Sequence, residues 1–323
     1  MKRLKVLFIT YPMAFHTPGG GEMQLLAYKK HLELQGVQVD LFDPWKPNFL
    51  DYDLVHFFSV IGGSVHLCNF IKQLGIPLII TSSLWITKET KHLYPVDEIR
   101  HQLSLADLII GNSDIECDQM SNVFGLPREQ FATVYNGVED IFFESVSPEL
   151  FRDTYNIHNP FVLNVGNIEP RKNQLNLAKA MKAFPDMKLV LIGHIRDSQY
   201  AQQVFAAAGD QIIYIGPLPH GSELQRSAYA ACEVFCLPST LETPGLAALE
   251  AAAIGVKIVI TREGATKEYF DNAYFVDHNN VSDIVEKISI AMNNNLTQSF
   301  KLKSWASLTN ELILHYLNQA QQL

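Results

Sequence analysis

The sequence predicts an α/β protein made of two doubly wound domains that face a cleft. Three observations predict this fold. Short β-branched runs alternate with stretches of helical period along the whole chain, which is typical of parallel sheets. The strand runs are apolar almost throughout, which indicates that helices cover both faces of each sheet. The pattern lapses once, around residues 139–160, and then restarts, in a chain whose 323 residues exceed what one small core requires.

The first strand is predicted at the start of the sequence. Cations precede an apolar run there, as in a signal peptide, but the run ends at Tyr11-Pro12 without a small-residue cleavage site and is too short to span a membrane. We therefore interpret it as a buried strand. Further β-branched runs complete a first sheet, with strands predicted at residues 4–10, 37–42, 54–58, 77–82, 107–112 and 131–135.

A helix is predicted next, from Glu22 to Gln35, with Gly36 as its stop. Its apolar side is predicted to hold Met23, Leu26, Ala27 and Leu34.

The second half repeats the pattern, with strands predicted at residues 161–165, 188–192, 211–215, 234–237, 257–261 and 274–276. Both domains are therefore expected to be Rossmann-like, with ligands at the carboxyl ends of their strands. We predict an N-terminal domain over residues 1–143 and a C-terminal domain over residues 144–300. A last helix, within residues 301–323, could pack back on the N-terminal domain.

Composition excludes some classes of function. The net charge of −9 and the pI near 5.6 give no overall attraction to nucleic acid or to anionic lipid. The four cysteines follow no metal-ligand pairing and fit a reduced, cytoplasmic protein. No metal site is expected. The charge alone leaves peripheral membrane contact open, and the oligomeric state is not predicted.

A basic segment follows the strand that ends at Val165. It begins with Gly166 and Asn167 and contains Arg171 and Lys172 just before a predicted helix. A helix amino terminus offers unpaired N–H groups and the positive end of a dipole, so two cations there predict an anion site. The alternative is a solvated basic turn.

An acidic segment follows the strand at residues 234–237. Pro244 is predicted as the first residue of a helix, so the amides of Gly245, Leu246 and Ala247 would point out of its start. Glu250 shares a face with apolar neighbours and needs donors, which sugar hydroxyls could supply, and Glu242 lies in the approach loop. The alternative is one acid satisfying the helix dipole and another paired with a lysine.

Together these segments resemble the retaining glycosyltransferases of family 4, the glycosyl transferases group 1, whose two-domain architecture is called GT-B. Glu242 and Glu250 match the acid-x7-acid motif of the family, and Pro244-Gly245-Leu246 matches its turn. The resemblance implies that the second acid binds the nucleotide ribose, that the first lies by the donor sugar, and that the turn amides meet the phosphates or sugar hydroxyls. It extends to the segments at residues 17–36, 52–59, 106–114, 133–143 and 218–239.

The sequence departs from the family at two places. The family often has Gly-Arg where this chain has Gly166-Asn167, and Arg171 could supply the missing cation. The family frequently has a histidine after its fourth strand, where this chain has Ser82 and Ser83.

The resemblance implies a retaining hexosyltransferase that uses a UDP- or GDP-linked sugar without a metal or other cofactor. The acceptor would be a hydroxyl of a glycan or lipid-linked molecule, in the setting of polysaccharide synthesis. Glu242, Arg171 and Lys172 are the candidate catalytic residues. The donor would lie on the C-terminal domain and the acceptor on the N-terminal domain, where Gly19, Gly20, Gly21 and His16 form a candidate acceptor or phosphate loop.

Two alternatives stay open. One is a sugar-nucleotide epimerase of the same architecture, and the other is a non-catalytic partner subunit that keeps the fold. A dinucleotide oxidoreductase is disfavoured because Gln24 stands where its Gly-x-Gly-x-x-Gly fingerprint needs the last glycine.

Overall fold

A computed structural model describes residues 3–16, 18–294, 298, 300 and 302–321 of the chain. Its contacts divide the chain into two compact units. The first unit contains the described residues up to Asn136 and those from Lys303 onward, and the second unit is Gly137–Leu302. The division therefore lies seven residues before the expected end of the N-terminal domain at residue 143. Thr17 in the glycine segment, and Lys301, Gln322 and Leu323 of the last predicted segment, lie outside the described residues.

The first unit is built on a parallel six-stranded sheet. Its strands are β1 Lys5–Thr10, β2 Gln38–Leu41, β3 Leu54–Phe58, β4 Leu78–Thr81, β5 Leu108–Gly111 and β6 Phe131–Thr133. Their order is β2-β1-β3-β4-β5-β6, so the order reverses between β1 and β3. Strands β3, β4 and β5 are buried along their whole length, as their continuous apolar runs predict.

The second unit holds another parallel six-stranded sheet. Its strands are β7 Phe161–Val165, β8 Lys188–Ile192, β9 Ile212–Gly216, β10 Val234–Leu237, β11 Ile258–Thr261 and β12 Tyr274–Val276. Their order, β12-β11-β10-β7-β8-β9, reverses between β7 and β10. All twelve predicted strands are confirmed, with ends that agree to within two residues, and the doubly wound α/β fold class is confirmed with them.

Helices cover both sheets. They are α1 Gly20–Leu34, α2 Val65–Gln73, α3 Val96–Ser104, α4 Asp114–Phe124, α5 Glu149–Tyr155, α6 Gln174–Ala180, α7 Ser198–Ala208, α8 Glu223–Ala231, α9 Leu246–Ile254, α10 Thr266–Tyr269, α11 Val281–Asn293 and α12 Trp305–Ala320. Each unit has its own apolar core between sheet and helices.

The predicted buried face of α1 is right at Ala27 and wrong at Leu26 and Leu34. Leu26 and Leu34 are 39% and 73% exposed, whereas the buried residues are Gln24, Leu25, Ala27, Tyr28, His31 and Leu32. Buried Gln24 donates to Asn112 Oδ1 at 2.7 Å, so a polar side chain occupies a core position that an apolar count does not assign to it. The predicted stop is right, since Gly36 has φ 88° just after the C-cap residue Gln35.

The last helix, α12, packs within the first unit. Gln35 at the end of α1 donates to Ala306 O at 2.7 Å and to Thr309 Oγ1 at 2.9 Å. His56 Nδ1 on β3 lies 2.6 Å from Tyr316 Oη, and both side chains are fully buried. Polar contacts therefore fix this helix to α1 and β3.

Candidate functional site

The two segments singled out in the sequence follow neighbouring strands of the second unit. Gly166 to Lys172 follow β7, and Pro238 to Gly245 follow β10. These strands pair side by side where the strand order reverses. In open parallel sheets, the loops at the carboxyl ends of two such strands form the usual ligand crevice. The fold therefore brings the basic and acidic segments together.

The central contact is an ion pair between Lys172 and Glu242. Lys172 Nζ lies 2.6 Å from Glu242 Oε1, and Ser239 Oγ donates to the same oxygen at 2.6 Å. Glu242 is only 5% exposed. Gly166 lies beside the lysine side chain, since a Cβ added at Gly166 would lie 3.5 Å from Lys172 Cε. The alternative in which an acid pairs with a lysine therefore describes part of the arrangement.

Burial and charge act in opposite directions on this pair. Burial raises the pKa of Glu242, but the charges of Lys172 and Arg171 outweigh it, so the pKa lies below its ordinary value. Burial lowers the pKa of Lys172 against the attraction of Glu242. A carboxylate that stays ionised keeps its partner protonated, so we describe the contact as a charged pair at neutral pH.

Arg171 extends the cationic side of the site. Its guanidinium donates to Leu241 O at 3.2 Å and lies 3.3 Å from Glu169 Oε1 and 3.8 Å from Glu242 Oε1. Its side chain is 48% exposed, so it can still reach a ligand. Arg171 and Lys172 form a 3-10 turn that ends one residue before Asn173, the N-cap of α6. The cations therefore precede the helix instead of opening it.

Asn167 contacts a third cation of the site, Arg196. In the amide orientation that satisfies both partners, its side-chain oxygen accepts from Arg196 Nη2 at 3.1 Å and from Nε at 3.0 Å. Arg196 also bridges to Glu169 Oε2 at 3.2 Å. The loop after β8 thus brings one cation, Arg196, to the loop after β7 in addition to the two predicted ones.

Gly264 fixes the backbone of Glu242. It has φ 92°, and a Cβ added there would lie 2.1 Å from Glu242 O. Ala265 N donates to the same carbonyl oxygen at 3.0 Å. Only a residue without a Cβ allows this approach.

The predicted start of α9 is wrong. The helix begins at Leu246, with Gly245 as its N-cap at φ 89°, and buried Pro244 precedes it after a cis peptide bond. Gly245 has left-handed backbone angles, which a right-handed helix does not contain. The helix therefore begins after Gly245, two residues later than expected. The amides of Leu246 and Ala247 still open the helix, where main-chain N–H groups have no partner within it.

Glu250 finds its donors within the protein. Tyr229 Oη donates to Oε2 at 2.8 Å, and His220 Nε2 lies 2.8 Å from Oε1. The carboxylate is 7% exposed and follows buried Ala248 and Leu249 on α9. Sugar hydroxyls are therefore not needed to compensate its burial.

The candidate loop of the first unit forms the start of α1. Gly19 is the N-cap of α1, Gly20 and Gly21 are its first residues, and His16 ends an exposed 3-10 turn before it. Gly19 N donates to Glu22 Oε2 at 2.7 Å. None of the three glycines has a positive φ, so their backbone conformation does not require glycine.

A cavity of about 190 Å³ lies beside Gly21 at the carboxyl ends of β1, β3 and β4. Its lining includes Tyr11, Glu22, Ser59 and Ser83. Ser59 and Ser83 have φ 100° and 47°, values that are strained for residues with a side chain. Backbone strain of this kind clusters at ligand sites. The cavity also lies where the strand order of the first sheet reverses, which is the usual place for a ligand in such a sheet.

Ser82 and Ser83 differ in their surroundings. Ser82 is buried and donates to Glu116 Oε1 at 3.2 Å, whereas Ser83 is exposed beside Gly21. Both serines line the cavity, and Ser83 is the exposed one.

Several residues of the site were missed by the sequence analysis. His220, Tyr229 and Ser239 lay in the segment noted for its resemblance, but no spacing assigned them a role. The contact between Ser239 and Glu242 could have been predicted from the sequence, because the two residues are an i, i+3 pair. The contact of Glu250 with α8 could not, because it depends on tertiary packing.

Within residues 3–16, 18–294, 298, 300 and 302–321, no group of three or more metal-ligating side chains is arranged to hold an ion. In the same part of the chain, no helix is long and apolar enough to cross a membrane.

Residues 149–304 match the family model described as glycosyl transferases group 1. The chain is 23% identical to a D-inositol 3-phosphate glycosyltransferase of Mycolicibacterium smegmatis over 65% of its length and 52% of the relative. It is 28% identical to the sulfoquinovosyl transferase SQD2 of Arabidopsis thaliana over 43% of its length and 28% of the relative. The chain thus spans about half or less of the length of these curated relatives.

Solved structures share the whole architecture. The Anabaena protein Alr3699/HepE in complex with UDP-glucose superposes with a TM-score of 0.74 at 18% identity, over 99% of this chain and 98% of that one. A sucrose-phosphate synthase from Thermosynechococcus elongatus superposes with a TM-score of 0.73 at 18% identity, over 99% and 97%. This likeness confirms the predicted two-domain fold.

Proposed function

We propose that the chain is a retaining glycosyltransferase, because residues 149–304 match the family model of the glycosyl transferases group 1. It transfers a hexose from a nucleotide diphosphate sugar to a hydroxyl of a glycan or lipid-linked acceptor and needs no divalent metal.

The observation that carries this proposal is the Lys172–Glu242 pair at the reversal of strand order in the second unit. A buried charged pair costs desolvation energy and rarely stabilises a fold more than apolar residues of the same size. The pair lies beside Gly245 and half-exposed Arg171. A ligand that carries both phosphate charge and hydroxyl groups would account for a buried ion pair at this place.

Each part of the donor has a matching group. Arg171, Lys172 and the amides of Gly245 to Ala247 would hold the diphosphate, because cations and unpaired N–H groups bind oxyanions. Glu242 would accept from hydroxyls of the sugar, and Glu250 from those of the ribose. Gly166 and Asn167 would border the phosphates from the loop after β7.

Breaking the glycosyl phosphate bond leaves negative charge on the departing diphosphate. Preorganised cations and amides stabilise that charge most where water is excluded. Arg171 and Lys172 can supply this without a metal, and the configuration at the sugar would be retained, as in the family.

The acceptor would bind to the first unit. The cavity beside Gly21 offers the hydroxyls of Ser59 and Ser83 and the carboxylate of Glu22. The serine hydroxyls can accept from or donate to a sugar hydroxyl, and the carboxylate can accept from one.

A nucleotide panel tests the proposal without an acceptor. UDP, GDP, ADP, UMP and uridine are compared for thermal stabilisation, and a nucleoside diphosphate is expected to stabilise most because it alone engages both cations and Glu250. We expect UDP or GDP. No stabilisation by any of them would contradict the proposal.

Turnover separates the remaining possibilities. With the matching sugar nucleotide, release of nucleoside diphosphate should require an acceptor and should persist in chelator. Loss of activity in chelator would contradict the metal-free site. Epimerised donor without acceptor would indicate an epimerase, and donor binding with no product would indicate a non-catalytic subunit.

A further inference from the structure

The Glu250 carboxylate is held at both oxygens by protein donors. Tyr229 Oη donates to Oε2 at 2.8 Å, and His220 Nε2 lies 2.8 Å from Oε1. The two donors come from different elements, since Tyr229 lies on α8 and His220 lies in the loop between β9 and α8. One contact to each oxygen fixes the rotation of the carboxylate plane, which a single donor would leave free.

Both donors are themselves immobilised. Tyr229 is fully buried, and its ring packs on Phe142 with centroids 6.2 Å apart. The His220 ring packs on the same Phe142 at 5.6 Å. Burial and the nearby Glu250 charge raise the pKa of Tyr229 well above 10, so its hydroxyl remains protonated and continues to donate at working pH.

The carboxylate keeps capacity for a ligand. An ionised carboxylate has about four acceptor positions, of which these two contacts use two. Simple satisfaction of a buried acid does not require donors on both oxygens, one of them a histidine whose side chain is 37% exposed.

We propose that Tyr229 and His220 are positioning residues that orient Glu250 toward the ribose 2′- and 3′-hydroxyls, and that this orientation makes the site select ribonucleotides over deoxyribonucleotides. The inference rests on the proposed function, because it needs a nucleotide in the site of the second unit.

The test measures a ratio of affinities. Isothermal titration calorimetry gives the affinity of the wild type for the preferred nucleoside diphosphate and for its 2′-deoxy and 3′-deoxy counterparts. A hydroxyl that donates to a charged group should favour the ribonucleotide by about tenfold or more.

Tyr229→Phe and His220→Leu are then compared with the wild type, because neither new side chain can donate a hydrogen bond to Glu250. Each should lower the ribose-to-deoxyribose ratio by about threefold or more while the affinity for the deoxynucleotides changes less than about twofold. Tyr200→Phe is the matched control. It removes another largely buried tyrosine hydroxyl of the second unit, one that accepts from Leu175 N at 2.9 Å, and should leave the ratio unchanged.

The outcomes are distinct. If a variant weakens the binding of ribonucleotide and deoxyribonucleotide equally, Tyr229 and His220 are merely structural. If the affinity ratio is unchanged in both variants, these residues do not belong to the site. Either result overturns the inference and leaves the proposed function standing. No binding of any nucleoside diphosphate by the wild type would overturn the proposed function and the inference with it. If Tyr229→Phe fails to fold, His220→Leu alone decides, because the half-exposed His220 ring can be replaced by a side chain of similar size without opening a cavity.

Discussion

At the scale of single residues, Lys172 is shared between the protein and the proposed ligand. Its ammonium lies 2.6 Å from Glu242, so a diphosphate would compete with that carboxylate for the same cation. Half-exposed Arg171 has weaker protein contacts and is more available. Glu242 therefore opposes phosphate binding electrostatically while offering an acceptor to the sugar.

Glu242→Gln should separate these two effects. Removing the negative charge frees Lys172, so we expect the nucleoside diphosphate to bind about fivefold more tightly, equivalent to about 1 kcal/mol. Sugar transfer should fall at least about tenfold if Glu242 holds the donor sugar. Calorimetric affinity and initial rates measure the two, with exposed Glu149→Gln on α5 as control. Weaker nucleotide binding in Glu242→Gln would refute the competition.

Lys172→Met should destabilise the second unit. It leaves a 5% exposed carboxylate with Ser239 and the more distant Arg171 as partners, and breaking a buried pair costs about 3 kcal/mol or more. The double variant Lys172→Met with Glu242→Gln should recover most of that loss, because no uncompensated charge remains. Denaturant unfolding at neutral pH measures both. Equal stability of the single and double variants would show that the pair is solvated.

The same pair sets a dependence on acid. Because the pKa of Glu242 lies below its ordinary value of 4.5, its stabilising contribution is complete above about pH 4.5 and is lost as pH falls through the lower folded-state value. Glu242→Gln should therefore flatten the decline in the free energy of unfolding below pH 4.5 and leave it unchanged above.

The sequence identified the acids and cations of the site but not their partners. Gly166, Lys172 and Glu242 could be singled out because they lie in loops that follow strands, and Glu250 because it lies eight residues after Glu242. The contact of His220 with Glu250 joins a loop to a helix 30 residues away, and no periodicity encodes it.

At the scale of secondary-structure elements, Gly264 and Gly255 form a matched pair. Both have φ 92°, but an added Cβ at Gly264 would meet Glu242 O at 2.1 Å, whereas at Gly255 it would meet no heavy atom within 4 Å. Substitution to alanine at either costs about 1–2 kcal/mol of backbone strain. Only the change at Gly264 also displaces the loop that carries Glu242.

Gly264→Ala should therefore lose more stability than Gly255→Ala. It should also weaken nucleotide binding by about tenfold or more, because the displaced loop leads into Gly245 and the amides proposed to hold the diphosphate, and small displacements of a binding group are costly. Gly255→Ala should keep wild-type affinity. Thermal unfolding and titration calorimetry on the two variants make the comparison. Equal affinity in both would mean that the Glu242 loop adapts.

Strands were easier to predict than helices. Continuous apolar runs allow one arrangement, a strand covered on both faces, and all twelve were placed correctly. The face of α1 was misjudged because Gln24 and His31 are buried through polar contacts, while Leu34 is exposed. The start of α9 was misplaced because the preference for proline at a first helical position yielded to a left-handed Gly245.

At the scale of the whole molecule, the chain returns at its end to the unit in which it began. His56 on β3 bonds Tyr316 on α12 and Thr81 on β4, and burial lowers the pKa of His56 from 6.5 to about 3. The folded form therefore keeps this histidine neutral while the unfolded chain binds a proton below about pH 6.5, so the free energy of unfolding should fall by about 1.4 kcal/mol per pH unit from there toward pH 3.

His56→Asn should remove this slope between pH 6.5 and 5, where Glu242 does not titrate. A wild-type slope equal to that of the variant would contradict it.

Because the two units have separate cores, nucleotide should stabilise only one of them. The proposed donor site lies wholly within Gly137–Leu302, so scanning calorimetry should resolve a transition that rises with nucleoside diphosphate and another that does not. At a concentration 100 times the dissociation constant the expected gain is about 2.7 kcal/mol, or roughly 5–10 °C for a unit of this size.

The transition that moves can be assigned with His56→Asn, which should lower the other one because His56 belongs to the first unit. If there is a single transition, raised by nucleotide and lowered by His56→Asn, the two units unfold as one and the separation of cores does not govern stability. If nucleotide raises only the transition that His56→Asn lowers, the donor site lies in the first unit, and the assignment of Lys172 and Glu242 to the donor is wrong.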